Sequence, residues 1–399
     1  MTSCVHRNSG QFLNGEQRAR LILVPQRDSV VFVLAELLST FTLLISACQP
    51  VASPPVEKTG VRPTKTQVPI DTSTPVPVLP TVPLTPPSLP DGYQTTLLNS
   101  MDTPHTYIKD PCIYLRDKWD SHNASPGTVV MIIRLQSIHK GIPQGGDVVN
   151  VTTFTKMMQE IHGQKFQAIN TGQLLDFLEN NAKIPARSVV FLQDGRRYAD
   201  NFNKHFRPYW DEWGWPVVDA WDNGADSTDA LWNENIALER EGWVDHQVDG
   251  LPIDPSIMDN LSDNYFKDEL QKQITTFQQH FNKSPVAIVW PTGFGARPAQ
   301  IARQLGYRVG FTGNARGPVM FNWVPLAETK DPLRPSYPPE GSVNDPLMTL
   351  PRYTPFQVHG VLDTVRVIGD NAADYADRNK PVEFNYYNIV CAPSYGPIP

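Results

Sequence analysis

From Tyr93 onward, short apolar runs closed by turn residues take turns with stretches whose apolar positions recur every three or four residues. Gly127 to Ile133 follows a Pro126-Gly127 turn and is almost wholly apolar, which predicts a buried first strand. Phe154, Met157, Met158 and Ile161 share one helical face, with Thr152 or Thr153 placed to cap it. Thr171 opens a second helix carrying Leu174, Leu175, Phe177 and Leu178. Next, Ile184-Pro185 leads into Val189-Val190-Phe191-Leu192 and stops abruptly at Gln193-Asp194-Gly195, a second buried strand ending in a turn. A Trp-rich stretch (210–243) and a polar helix from Asn264 to Phe281 come after it. A strand from Val286 to Trp290 stops at Pro291-Thr292-Gly293, and a helix from Ala299 to Leu305 closes on Gly306 as its C-cap. Tyr307 to Phe311 is a further strand. Strands alternating with helices predict a parallel α/β sheet, open or closed.

The flanking regions read differently. In 321–399 prolines crowd the first part, and strand-like pieces fall at Thr364–Ile368 and Glu383–Val390; this segment is expected to wrap the same domain. Residues 1–48 resemble an export segment: Arg18, Arg20 and Arg27 precede an apolar run from Val30 to Ile45, and Ile45-Ser46-Ala47-Cys48 is similar to the lipobox of bacterial lipoproteins. The long charged lead and Glu36 within the apolar run depart from that pattern, and an uncleaved membrane anchor is the alternative. Either reading places the remainder outside the cytoplasm, anchored to the membrane. Residues 49–92 are Pro- and Thr-rich without aromatics, the composition of an extended spacer.

Composition adds limits. The 399 residues are 40% hydrophobic, enough for a sizeable core, and a net charge of −7 offers nothing to a nucleic acid. Of four cysteines, Cys4 lies in the export segment and Cys48 would carry lipid. Cys112 and Cys391 are left near the two ends of the folded part, either bridged in an oxidising compartment or as separate thiols.

An Asp where a buried strand ends sits at the sheet edge that open α/β folds use for chemistry, although Asp-Gly is also a common turn pair. Ile184-Pro185-x-x-Ser188-Val189-Val190-Phe191-x-x-Asp194-Gly195, following a helix pair, resembles the first motif of NodB-type polysaccharide deacetylases (carbohydrate esterase family 4), Thr-Phe-Asp-Asp-Gly in that family. Val289-Trp290-Pro291-Thr292-Gly293 is similar to the family's aromatic-x-Pro-x-Gly segment, and Leu305-Gly306-Tyr307 adds to the likeness, which spans residues 127–320. The resemblance implies a deformed (β/α) barrel, here 93–320 with 321–399 packed on it, acting on N-acetylated surface polysaccharide. It also implies a divalent metal such as zinc, held by the second Asp of the motif and a His-x-x-x-His pair, with the first Asp as base toward the metal-bound water.

Mapped onto this chain, that set is incomplete. Gln193 stands at the base position, where an amide is no proton acceptor, while Asp194 keeps the ligand position. If His246 is the first histidine, the second position is Gly250; if Asp249 is first, the second is Ile253. The arginine expected before the Pro-x-Gly segment is missing from the apolar run Val286 to Val289, and His359 is the one weak candidate for a late acid histidine. A weak metal site from Asp194, His246 and Asp249 stays open beside the plain reading of polar strand ends.

Six of the nine tryptophans lie between 210 and 243. Trp213 and Trp215 would share a face on a strand, and with Trp221 they could form a platform for sugar rings, or a core patch. Asp219, Asp222 and Asp226 nearby could meet hydroxyls or face solvent. Three functions follow: a lipid-anchored glycan-binding protein on a deacetylase fold, a metal-dependent deacetylase with non-standard ligands, and a solute-binding lipoprotein, which would need two similar lobes.

Overall fold

Cap and turn residues punctuate the chain as it enters the fold. The computed structural model describes residues 84–142, 148–195, 198–224, 227–253, 257–290, 295–332 and 338–399. The export segment with Cys48, most of the spacer, Asp226 and Pro291-Thr292-Gly293 lie outside the described residues. In chain order, β1 (Asp102–His105) and α1 (Pro111–Trp119) precede the first long strand, β2 (Val129–Leu135). The short strands β3 (Ser137–His139) and β4 (Val148–Asn150) pair with each other ahead of α2 (Val151–Gly163). Asn150, not Thr152 or Thr153, caps α2, its side chain accepting from the Thr153 amide at 2.7 Å. After β5 (Gln167–Ala168), α3 (Thr171–Asn180) opens with a capping box of Asn170 and Gln173 and leads into β6 (Arg187–Asp194).

The Trp-rich stretch holds more order than its composition suggests. It contains α4 (Ala199–His205), α5 (Arg207–Trp213), β7 (Val217–Trp221) and α6 (Asp229–Glu241), then β8 (Val244–Asp249). There follow α7 (Asp263–Phe281), β9 (Ala287–Val289), α8 (Ala296–Gln304), β10 (Val309–Phe311) and β11 (Val324–Ala327), which pairs antiparallel with β1. The chain finishes in α9 (Pro355–Tyr386) and, past a π-helical turn, α10 (Ala392–Tyr395).

The strand order β2-β6-β7-β8-β9-β10 is parallel throughout and never reverses, with β5 added along β6. Such single winding belongs to (β/α) barrels, whereas a doubly wound sheet would turn back on itself. The gap between β10 and β2 is filled by 350–353, whose Leu350 amide donates to Gly310 O at 2.7 Å and whose Tyr353 amide donates to Ile132 O at 2.8 Å. The result is a deformed (β/α) barrel, as the resemblance implied. Alternate residues point inward and outward. Val130, Ile132, Val190, Leu192, Val218, Ala220, Val289 and Phe311 fill one cluster; Val129, Met131, Ile133, Val189 and Phe191 pack outward against α2 and α9.

The strand-like pieces expected at Thr364–Ile368 and Glu383–Val390 are helical. β-branched residues suggested strands there, but Val358, Leu362, Val365, Ile368 and Ala372 make a buried helical stripe on β2. α9 meets the β2 entry at backbone distance: a Cβ at Gly369 would stand 2.7 Å from Gly127 O, and one at Gly127 would stand 2.5 Å from Gly369 O. Cys112 of α1 and Cys391 are joined in a disulfide with Cα atoms 5.3 Å apart. Beside it the buried Lys118 ammonium meets the Glu383 carboxylate at 2.8 Å. Among the described residues no helix is long and apolar enough to cross a membrane.

Candidate functional site at the barrel mouth

Register decides which polar residues share the barrel interior. On β6, Val190, Leu192 and Asp194 point inward; on β8, register with Val218 and Ala220 puts Asp245, Gln247 and Asp249 on the same side. Arg134 lies opposite Leu192 near the end of β2, and Arg352 belongs to the gap-filling segment. Asp194 and Asp249 therefore close the C-terminal ends of their strands facing inward. Gly195, at φ 73°, turns the chain away immediately after Asp194.

Asp194 is clamped. Its Oδ2 accepts from Arg134 Nε, and its Oδ1 accepts from Arg352 Nη1 at 3.0 Å. Arg352 is almost fully buried and donates also to Thr312 O at 2.8 Å and Trp290 O at 3.4 Å, so one guanidinium ties the ends of β6, β9 and β10. No arginine lies in the run Val286 to Val289 just before Trp290, yet a guanidinium reaches the Trp290 carbonyl from 350–353. Neither arginine was singled out from the sequence. Arg134 left a signal, being the one charge in the otherwise apolar Val129–Leu135; Arg352 left none.

Asp249 has no such partner. Its Oδ1 is sealed from solvent without a hydrogen bond. Burial pushes this carboxyl well above the usual range, the Asp194 charge adds to the rise, and Arg352 opposes it. The mouth thus holds an arginine-paired carboxylate on β6 and, further along β8, a carboxyl whose Oδ1 has no hydrogen bond. Asn314, buried next to the Arg352 backbone, likewise leaves its Oδ1 without a partner.

The other predicted residues lie elsewhere. Gln193, Asp219 and His246 are register partners on the outer side of the sheet. Gln193 is buried, and its amide donates to Leu135 O and Gln136 O, both at 3.0 Å, and to Asp194 O at 3.2 Å. A carboxylate there would face carbonyl oxygens, so the position takes a donor and serves as a stitch between β6 and the end of β2. His246 is fully buried, with Nδ1 2.8 Å from Glu239 Oε2 and Nε2 3.0 Å from Asn235 Oδ1, and its ring stacks on Phe281. Burial holds its imidazole below the ordinary range even against the Glu239 carboxylate.

Gly250, the second position of the histidine pair, approaches the neighbouring strand so closely that a Cβ would lie 2.6 Å from Val289 O. No histidine fits that backbone. Ile253 of the alternative alignment sits in an apolar cluster with Leu251, Met258 and Trp290. Among the described residues no three His, Cys, Asp or Glu side chains are grouped to hold a metal ion. The donor set does not fit one. A divalent ion on Asp194 would stand ~4 Å from two guanidinium charges, each repelling it by roughly 8 kcal/mol at an effective dielectric of ~20. His359 is exposed on α9, 3.1 Å from Glu160 of α2, on the outside of the barrel, so it is no acid for this mouth.

The tryptophans expected to present a platform do not line a strand. Trp213 ends α5, Gly214 caps it at φ 71°, and Trp215 turns inward. Trp215 is buried with Nε1 3.1 Å from Gln167 Oε1, and Trp221 is wholly buried against Trp232 and Phe281. Half-buried Trp213 stacks on His162 with ring centroids 4.0 Å apart. Trp215 and Trp221 are core, filling the space between strands and helices. Asp219 is buried too, while Asp222 is exposed just past β7.

Comparison with known proteins gives structural likenesses alone: neither a family profile nor a curated protein sequence matches the chain. The deacetylase PplD from Streptococcus pyogenes, solved with acetate, is 17% identical at a TM-score of 0.47, aligning 60% of this chain with 99% of that one. A polysaccharide deacetylase from Bacillus cereus is 14% identical at 0.43, over 58% of this chain and 68% of its own. A de-N-acetylase from Aggregatibacter actinomycetemcomitans is 13% identical at 0.42, over 57% and 94%. At these levels the fold stands on strand order and register, and the chemistry on the residues of the mouth.

Proposed function

We propose that this chain is a lipid-anchored, extracytoplasmic protein whose barrel recognises surface polysaccharide and whose mouth does not carry out metal-dependent deacetylation. The observation that carries the reading is the arginine clamp on Asp194, with His246 held on the other side of the sheet and no room for a side chain at Gly250. The sequence likeness to NodB-type deacetylases supports a glycan as partner. The disulfide between Cys112 and Cys391 is chemistry of an oxidising compartment and supports export, with Cys48 as the lipidated residue. One continuous parallel sheet, in place of two similar lobes, speaks against a transporter's solute-binding protein.

The test pairs binding with chemistry. The full chain is titrated with a hexamer of β-1,4-linked N-acetylglucosamine by calorimetry, and acetate release is followed with and without added zinc. Binding without acetate release is expected. Zinc-dependent acetate release would overturn the reading.

A further inference from the structure

We propose that a cavity at the opposite end of the barrel from Asp194 binds a neutral phenolic ring, with the Tyr114 hydroxyl and the Lys118–Glu383 pair meeting the hydroxyl of that ring. The site is separate from the mouth and does not depend on the glycan reading. The cavity lies by the start of β2, between the end of the spacer, α1, residues 320–323 and α9, and has a volume of about 150 Å³. A space of that size holds a single six-membered ring. Tyr93, Tyr114, Phe321, Trp323 and Tyr375 line it, a wall suited to an aromatic guest. Tyr114 stacks on Phe321 with ring centroids 5.8 Å apart, and Tyr93 tilts against Trp323 at 6.2 Å and Tyr375 at 5.8 Å. The end of the spacer is pinned as one side of the cavity: Tyr375 donates to Asp91 O, Tyr93 donates to Ile368 O at 3.2 Å, and Trp323 Nε1 donates to Tyr93 O at 3.2 Å.

Those bonds engage the polar tips of three wall rings and leave one, Tyr114. Its hydroxyl makes no hydrogen bond with another described residue, and burial beside the Glu383 charge pushes it up, so it stays a neutral donor. Other buried polar groups at the wall are engaged already: Asn181 donates to Asp117 O and Ala124 O, and Asn322 accepts from the Tyr107 and Ile108 amides. Lys118 Nζ meets both Glu383 oxygens at 2.8 Å, and Trp119 Nε1 adds a bond of 2.6 Å to Oε2, so Oε1 accepts from Lys118 alone. The two charges cancel, which leaves no counter-charge for an ionised guest. A sugar would press several of its hydroxyls unpaired against the rings. A phenol brings one hydroxyl, which accepts from Tyr114 and donates to Glu383 Oε1.

The full chain is titrated with phenol, benzene and N-acetylglucosamine at millimolar concentration, with binding read by saturation-transfer NMR and by the shift in melting temperature. Phenol should bind more tightly than benzene, and the sugar should not compete with it. Tyr114→Phe removes one hydroxyl and should weaken phenol about three- to tenfold while leaving benzene unchanged. Ala376→Phe places a ring inside the cavity from α9 and should abolish binding of both, with its melting temperature showing that the protein is folded. No binding of phenol to the parent protein would overturn the proposal. So would equal effects of Tyr114→Phe on phenol and benzene, or phenol binding retained in folded Ala376→Phe. Each of these results leaves the glycan reading, which is tested with the hexamer, untouched.

Discussion

Replacing Arg352 by Met tests the clamp with the least change of volume. The guanidinium is almost fully buried and donates to Asp194 Oδ1, Thr312 O and Trp290 O. Met fills most of the space and satisfies none of them. Removing one partner of a buried ion pair costs ~3–5 kcal/mol, because the other charge stays behind. Asp194 keeps Arg134, so the lower end of that range, about 3 kcal/mol, is expected. For a domain of this size that is a melting-temperature drop of about 5 °C. Urea unfolding followed by tryptophan fluorescence measures it. Adding Asp194→Asn removes the stranded charge, so the double variant should be more stable than the sum of single losses by at least about 1 kcal/mol. A loss under about 1 kcal/mol for Arg352→Met, or strict additivity with Asp194→Asn, would refute the idea that this ion pair organises the mouth.

Reducing the Cys112–Cys391 bridge, which spans 279 residues, should destabilise the domain by ~3–5 kcal/mol, read as a lower melting temperature in dithiothreitol and in the double Cys→Ser variant. Asp102 is raised to about 6 by burial, against the pull of Arg316, so its folded form holds a proton that the unfolded form has released. Stability from this group is therefore present below about pH 4 and declines as pH rises through 6; urea midpoints of Asp102→Asn should show a shallower decline over that window. Trp221→Ala should cost ~3–5 kcal/mol as a core truncation, whereas Trp213→Ala, at a half-buried ring stacked on His162, should cost less than half as much in the same unfolding assay.

How much of this was legible in the sequence depends on whether a signal was local. β2, β6, α2, α3 and α7 announce themselves because their burial follows period 2 or 3.6 within one run of residues. β7 and β8 carry no such run because Asp219, Asp245 and His246 interrupt their apolar pattern, Asp245 and His246 being met by Lys283 and Glu239 from other elements. Part of α9 reads as strand in the sequence because Thr364, Val365, Val367 and Ile368 carry β-branched side chains, and only packing on β2 selects the helix. At the site, Asp194 was visible as a polar stop after an apolar run. Its partner Arg352 lies 158 residues away, and no local pattern predicts that such a residue returns to fill the gap in a barrel. The misplacement of His246 has the same origin: a shift of one residue on β8 moves a side chain from the mouth to the outer side of the sheet.

The most direct test of the account is the metal content of the purified full chain after incubation with zinc and desalting, measured by mass spectrometry beside Asp194→Ala. The account predicts well under one zinc per chain in both proteins, because the arginines leave Asp194 no place for a cation. One zinc per chain that disappears in Asp194→Ala would contradict it.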